Sequence, residues 1–317
     1  MDETVMIVFS LLGRPVTLYA LCVTLSAALG LLFCAFRCRH MRPGTTGVFA
    51  TLALPLSLLG ARVFYCLARL SYYQEIGFAH VLFLWEGGYA LWGALGGAAL
   101  AAFFTARITR QSVSILMDKI APCGALVICL CRLAEYTNGE GIGRLVENEA
   151  LCRFPIAVQN VYEEWYYAIF LLEALAALTI LIALLCARIR RPGDGARLFL
   201  LLYSACQIVL ESMRRDNYLC WLFVRVSQLT AVLVLFFLAV YGVLRRSRTP
   251  KARRMPGGML ALWCCLFVLC TGVCILLEFA IDKSATLPVW AGYAIMALMC
   301  VGFGVSTYQL CFRSVKE

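Results

Sequence analysis

The chain has 317 residues, of which 62% are apolar and 15% are charged, and its mean hydropathy is +0.84. This composition excludes an ordinary soluble globular protein and is typical of a chain with many membrane spans. The formal net charge of +10 comes largely from basic residues in alternate loops, so it does not indicate nucleic-acid binding.

Nine apolar stretches are long enough to cross a bilayer, which needs roughly 20 residues of helix. In chain order, the predicted spans are 15–36, 46–69, 88–106, 113–135, 164–187, 198–213, 221–244, 258–280 and 287–311. They predict an all-α fold, a polytopic membrane helix bundle. Arginines cluster at 37–42 and again at 245–254, on the same side of the predicted bundle. The positive-inside rule therefore predicts an external N-terminus and an internal C-terminus.

The fourth span ends in charged residues and glycines where a lipid-facing helix would carry neither. Arg132 and Glu135 lie within its last turn, and Glu140 and Arg144 follow closely. Ionisable groups at membrane depth cost several kcal/mol, so they indicate a functional site.

The sixth span carries a polar stripe. Tyr203, Gln207, Glu211 and Arg214 are spaced four, four and three residues apart, so they share one face of a helix. Such a stripe must face the bundle interior or a water-filled cavity. An interhelical hydrogen-bond seam is the alternative, but the glutamate and arginine favour a site.

The arginines predicted at the outer surface are exceptions to the charge bias: Arg144, Arg153, Arg214 and Arg215. Guanidinium groups bind phosphate oxygens in a bidentate manner and never deprotonate, so a convergent set indicates a phosphate site. Interfacial snorkelling is the alternative interpretation for any single arginine.

These residues match a known pattern in order and spacing. The matching positions are Tyr19, Arg62, Trp85 to Gly88, Asp118 to Pro122, Arg132, Asn138, Gly139, Glu140, Gly143, Arg144, Tyr162, Glu163, Tyr203, Glu211, Arg214 and Gln228. The chain resembles the bacterial prolipoprotein diacylglyceryl transferase family over about residues 10–245.

The resemblance implies a seven-span transferase-like core over 1–245 with an external head segment at about 136–163. A basic cytoplasmic linker, 246–257, and two additional spans within 258–317 would follow. The implied reaction moves diacylglyceryl from phosphatidylglycerol to the lipobox cysteine of a preprolipoprotein signal peptide. It forms a thioether, releases glycerol phosphate, and needs no cofactor or metal. The implied location is the bacterial cytoplasmic membrane.

The resemblance and the residue chemistry together predict two groups of site residues. The predicted catalytic residues are Arg132, Glu135, Glu140 and Glu211. The predicted phosphatidylglycerol-binding residues are Tyr19, Arg62, Asn138, Gly139, Gly143, Arg144, Glu163, Tyr203, Gln207 and Arg214.

Three pocket positions depart from the family pattern. Trp92 stands where the family has a histidine, Glu135 where it has an asparagine, and Gln207 where it has an arginine. Either Glu135 or Glu211 is then a substitute base for the thiol proton. Because of these departures, a second interpretation stays open, in which the chain is a non-catalytic homologue that binds lipid or a partner. A transporter is a third alternative, which the lack of paired repeats disfavours.

Two small-residue features have structural interpretations. Most of the 17 cysteines lie in apolar spans and are expected to be free and buried, while Cys152 and Cys220 are both predicted outside and would be able to pair. The glycines at 93–97 predict a close-packing helix face.

Overall fold

The computed structural model describes residues 7–11, 14–160, 162–215, 219–221, 224–248, 255–281 and 288–313. The helices in these ranges are α1 (Leu18–Arg37), α2 (Thr45–Ala68), α3 (Leu70–Ile76), α4 (Leu91–Ile108), α5 (Val113–Glu135), α6 (Ile169–Cys186), α7 (Asp194–Met213), α8 (Val226–Ser247), α9 (Gly257–Ala280) and α10 (Val289–Phe312). All but the short α3 are long and apolar enough to cross a membrane. The predicted all-α class and the nine spans are confirmed.

Short antiparallel hairpins account for the strands. They are β1 (Ile7–Leu11) with β2 (Arg14–Thr17), β3 (Ala157–Gln159) with β4 (Trp165–Tyr167), and β5 (Cys220–Trp221) with β6 (Val224–Arg225). Two predicted span starts are corrected by these pairings. The fifth spanning helix begins at Ile169 and the seventh at Val226, because the residues before each join a hairpin instead.

By packing, the chain divides into two compact units. The first comprises residues 1–196 and 214–226, and the second comprises 197–213 and 227–317. Most of α7 therefore belongs to the second unit, together with α8, α9 and α10. The family resemblance divides the chain at residue 245 into a family core and an added part, which is a different division from the one made by packing. That division stays a prediction, and so does the orientation of the termini.

In the first unit, α2 and α4 approach each other at glycines. A Cβ on Gly97 would collide with the backbone carbonyl of Leu56, and one on Gly93 would collide with that of Gly60. Backbone atoms cannot move aside as a flexible side chain can, so only glycine allows this approach. The predicted close-packing face at residues 93–97 is confirmed.

Asp118 on α5 holds the start of α7. Its Oδ2 accepts a hydrogen bond from Gly193 N at 2.6 Å, and its Oδ1 accepts one from Ala196 N at 3.0 Å. The first N–H groups of a helix lack partners within the helix, and a carboxylate there also complements the helix dipole. This contact gives a structural reason for the aspartate in the family-like stretch.

In the second unit, α10 lies close to its neighbours. A Cβ on Gly242 of α8 would meet the carbonyl of Leu310, and Gly304 lies against Ala205 of α7. The rings of Phe267 and Phe303 meet edge to face at 4.5 Å between centroids, which joins α9 to α10.

The cysteines that the structure describes form no disulfides, and many of them are buried, as expected. Cys152 and Cys220 are half-buried and do not form the disulfide that their predicted positions allowed. Cys152 instead directs its Sγ to the carbonyl of Asn148 at 3.6 Å.

Gly97 and Gly96 offer a matched pair of substitutions. We expect Gly97→Ala to lower the free energy of unfolding by about 1–3 kcal/mol, because the new methyl group would push α2 and α4 apart. Gly96 has open space at its Cβ position, so Gly96→Ala should stabilise the helix slightly. Melting temperatures of the two purified variants in detergent test this, and equal values would contradict the close-packing interpretation.

Candidate functional site

Four buried charged side chains meet near the end of α5. Arg132 and Glu135 are each 8% exposed, Glu173 is 3% exposed, and Arg214 is 8% exposed. Arg132 Nη1 donates to Glu135 Oε1 and lies 3.3 Å from Glu173 Oε2. Arg214 Nη1 lies 3.1 Å from Glu135 Oε2 and 3.1 Å from Glu173 Oε2. We call these four residues the charge ring.

Counted over its four members, the charge ring is electrically balanced. Two guanidinium groups face two carboxylates, and each arginine contacts both glutamates. An unpaired charge in a low-dielectric interior costs several kcal/mol, so removing one member would leave an uncompensated charge. The ring therefore holds both arginines in place while it stays neutral.

Local turns bring the first three members together. Arg132 and Glu135 are three residues apart at the end of α5, so they lie on one helix face. A 3₁₀ turn, Tyr136–Asn138, then reverses the chain through Gly139, whose φ is +67°. The segment after Gly139 is then bonded to the start of α6, which carries Glu173. Gly143 N donates to Tyr167 O at 2.8 Å, and Phe170 N donates to Gly141 O at 2.7 Å.

Gly141 is required at this crossing. Its φ is +73°, which L side chains rarely adopt, and a Cβ there would lie 2.6 Å from Phe170 Cβ and 2.9 Å from Glu135 Oε2. No larger residue fits between the charge ring and α6.

Arg214 is positioned through its backbone. Arg215 N donates to Ile142 O at 2.9 Å, and Arg225 Nη1 donates to Arg214 O at 3.0 Å. The first contact joins the segment that follows α7 to the segment that follows α5, although the two are about 70 residues apart in the chain. The second holds Arg214 against β6.

The other residues of the predicted signature surround this crossing. Asn138 Nδ2 donates to Glu140 Oε1 at 2.8 Å, and Gly139 occupies the left-handed turn. Arg144 is half-buried, and its carbonyl accepts from Tyr167 N at 3.1 Å. Tyr19 lies in the first turn of α1, which packs against the 3₁₀ turn, and its phenol interacts electrostatically with Glu135 and Glu140.

Arg62 is buried against the backbone of a neighbouring connection. It is 2% exposed, and all three of its nitrogens donate to backbone carbonyls in the connection after α3: Val81, His80, Phe83, Gly87 and Gly88. A guanidinium has five N–H groups, and these contacts use them. Arg62 therefore holds this connection in place, and its role in phosphatidylglycerol binding stays a prediction.

Glu163 and Glu173 differ in where the structure places them, and the predicted role of Glu163 in lipid binding stays a prediction. Glu163, predicted to bind lipid, is exposed in the turn between β3 and β4, where it adopts a φ of +65°. Glu173, which sequence reasoning missed, is in the charge ring. A signal was present, because Glu173 is the only charged residue within the apolar stretch 169–186.

The polar stripe of the sixth span is buried within the second unit. Tyr203, Gln207 and Glu211 are 5%, 2% and 4% exposed. Gln207 Nε2 donates to Glu211 Oε2 at 2.9 Å, and the Tyr203 ring stacks on Phe199.

Trp92 is buried in the first turn of α4.

The head segment also contains a polar network outside the membrane. Tyr166 in β4 donates its hydroxyl proton to Glu164 Oε2 at 2.8 Å. This hydrogen bond to a carboxylate raises the pKa of Tyr166. Asn160 Nδ2 donates to the same carboxylate at 3.0 Å, which fixes the turn between β3 and β4.

Comparison with known families identifies the chain. A model of the prolipoprotein diacylglyceryl transferase family matches residues 6–244. The chain belongs to that family. It is a multi-pass protein of the bacterial cytoplasmic membrane, and its last two helices lie beyond the matched region.

Curated relatives carry the name phosphatidylglycerol–prolipoprotein diacylglyceryl transferase. The protein from Clostridium novyi (strain NT) is 33% identical over 177 residues, which cover 54% of this chain and 68% of the relative. The protein from Streptococcus suis (strain 05ZYH33) is 28% identical over 243 residues, which cover 73% of this chain and 88% of the relative.

Glu173 in the charge ring and the exposed Glu163 can be compared directly by substitution. We expect Glu173→Gln to lower the free energy of unfolding by about 3 kcal/mol or more, because the charge ring would keep two arginines and a single carboxylate. The exposed Glu163→Gln is the matched control and should change stability by less than about 0.5 kcal/mol. Thermal unfolding in detergent measures both, and equal melting temperatures would argue against the charge ring.

Proposed function

We propose that this chain transfers the diacylglyceryl group of phosphatidylglycerol to the cysteine thiol of a preprolipoprotein signal peptide. Family membership supports the reaction class. The structural observation that carries the residue roles is the convergence of Arg132 and Arg214 on the same two buried carboxylates. Two arginines from separate parts of the chain thereby form one anion-binding position.

The reaction balances without an oxidant or reductant. The cysteine sulfur attacks the diacylglyceryl carbon that carries the phosphate oxygen, a C–S bond forms, and that C–O bond breaks. The electron pair of the C–O bond leaves on glycerol phosphate, and a protein carboxylate takes the thiol proton. The product is the thioether.

The arginines match the charge that develops in this step. The phosphodiester of phosphatidylglycerol carries one negative charge, and the departing glycerol phosphate carries a second as the C–O bond breaks. Preorganised cations in a dry site stabilise such a transition state more than the ground state. We assign this role to Arg132 and Arg214.

Glu135 is our proposed proton acceptor. In the structure its two carboxylate oxygens are paired with Arg132 and Arg214. When the phosphate takes over the guanidinium groups, Glu135 loses those partners and its oxygens become available to the thiol proton. Phosphate binding and thiol deprotonation are thus coupled by an exchange of partners. Glu173 remains paired throughout and keeps the arginines in position.

The remaining predicted residues have supporting roles in this proposal. Asn138 and Glu140 form a hydrogen-bonded pair beside the Gly139 turn, where they would orient the glycerol headgroup. Gly143 and Arg144 continue the same segment. Glu211, bonded to Gln207, and Tyr203 keep their predicted roles in catalysis and lipid binding.

The neutral state of the charge ring also favours a second candidate function. Arginines that are already balanced by carboxylates suit a homologue that binds lipid or a partner without turning it over. Expression in bacterial cells depleted of their own transferase distinguishes the two. Restored lipidation of a reporter lipoprotein supports the transferase, whereas unrestored lipidation at normal protein levels supports the binding homologue.

Substituting Arg132 tests the anion-binding role. We expect Arg132→Lys to lower kcat by about 100-fold or more, because a lysine keeps the charge but loses the fork that spans two acceptors. Transfer of a labelled diacylglyceryl group to a lipobox peptide in proteoliposomes measures the rate. Arg153→Lys, an exposed arginine of the head segment, serves as the control. A similar rate for the two variants would be inconsistent with the proposed role.

Neutralising Glu135 should separate binding from chemistry. In Glu135→Gln the arginines lose one competing carboxylate, so we expect a lower KM for phosphatidylglycerol. At the same time the proton acceptor is lost, so kcat should fall by about 100-fold. The same assay on Glu211→Gln provides the comparison. If only Glu211→Gln loses kcat, the proton acceptor is Glu211 instead.

A further inference from the structure

The last two helices, α9 and α10, lie beyond the family match, yet they form hydrogen bonds within the second unit. Gln228 Nε2 on α8 donates to Glu278 Oε2 on α9 at 3.0 Å and to the carbonyl of Ile208 on α7 at 3.0 Å. Tyr293 on α10 donates its hydroxyl proton to the carbonyl of Ser212 on α7 at 3.1 Å. Both contacts fall on the last turns of α7.

The Ser212 carbonyl receives from Tyr293 a hydrogen bond that α7 itself cannot supply. The last four carbonyls of a helix have no N–H partner within the helix. Within a bilayer an unsatisfied carbonyl costs several kcal/mol, because water is absent. Ser212 is 4% exposed, so a partner must come from the protein. Tyr293 supplies it.

The Gln228 contact fixes an amide in one orientation. Its two N–H groups are directed to Ile208 O and to Glu278, so the amide cannot rotate without breaking one of these bonds. Ile208 lies three residues before Glu211. Through Gln228, Glu278 therefore restrains the helical turn of α7 that carries Glu211.

Close packing reinforces the two hydrogen bonds. Gly304 of α10 would place a Cβ 3.6 Å from Ala205 Cβ and 3.9 Å from Leu201 Cδ2 of α7. The added helix therefore contacts α7 along its length as well as at its end.

We propose that α9 and α10 are a positioning element for the transferase, in which Glu278 and Tyr293 fix the end of α7 that carries Glu211. The same helix end continues directly into Arg214 of the charge ring. This inference rests on the proposed transferase activity and adds positioning residues that lie outside the family-matched region. Neither Glu278 nor Tyr293 needs to contact substrate.

Single substitutions in the full-length protein test the element. We expect Tyr293→Phe and Glu278→Leu each to lower kcat by up to about tenfold, the range expected for loss of one hydrogen bond. The KM for phosphatidylglycerol should stay unchanged, because a positioning residue acts on α7 and not on the lipid. Glu278→Gln keeps a carbonyl acceptor for Gln228, so it should restore most of the rate that Glu278→Leu loses.

Tyr308→Phe is the matched control on α10. Tyr308 stacks on Phe312 and donates no hydrogen bond to α7 in the part of the chain that the structure describes, so its loss should leave kcat unchanged. An active wild type whose kcat is the same in Tyr293→Phe and Glu278→Leu would overturn the positioning role alone. Equal rates for Glu278→Gln and Glu278→Leu would also overturn the role of Glu278. An inactive wild type would instead contradict the proposed function on which this inference rests.

Discussion

Charge buried inside a membrane bundle must be neutralised by other charge, and this constraint shapes the structure around Arg132. Neither water nor lipid can compensate a guanidinium at that depth. Glu135 and Glu173 compensate Arg132 and Arg214, and each arginine contacts both carboxylates. The 3₁₀ turn, the left-handed glycines and the backbone bonds to α6 serve to bring these side chains together. The site is therefore also a stability element of the first unit.

In the proposed reaction the same neutrality has a chemical use. A pocket that awaits an anionic headgroup would hold a large uncompensated positive charge if its arginines stood alone. In the proposed mechanism a carboxylate occupies that position until substrate arrives, and the exchange of partners frees the carboxylate for a proton.

Sequence patterns indicated much of the fold because membrane spans are local. Each span is defined by an unbroken run of apolar residues, and all nine were found by that rule. The span starts at 164 and 221 were wrong because the first residues of those apolar runs pair in hairpins, which depends on a partner strand elsewhere. The glycines at 93–97 were interpreted correctly as a packing face, although the sequence did not identify α2 as their partner.

By itself, the sequence determined the class of the protein and its family, and it singled out Arg132, Glu135 and Arg214, since charged residues in apolar runs and motif spacing are visible in one dimension. Only the tertiary structure decided which charges meet. It placed Glu173 in the charge ring, left Glu163 exposed in a turn, and directed Arg62 to backbone carbonyls. The physical reason is that a carboxylate's partner is set by how turns and helix packing fold distant segments together. Spacing along the chain constrains such contacts only within one helix.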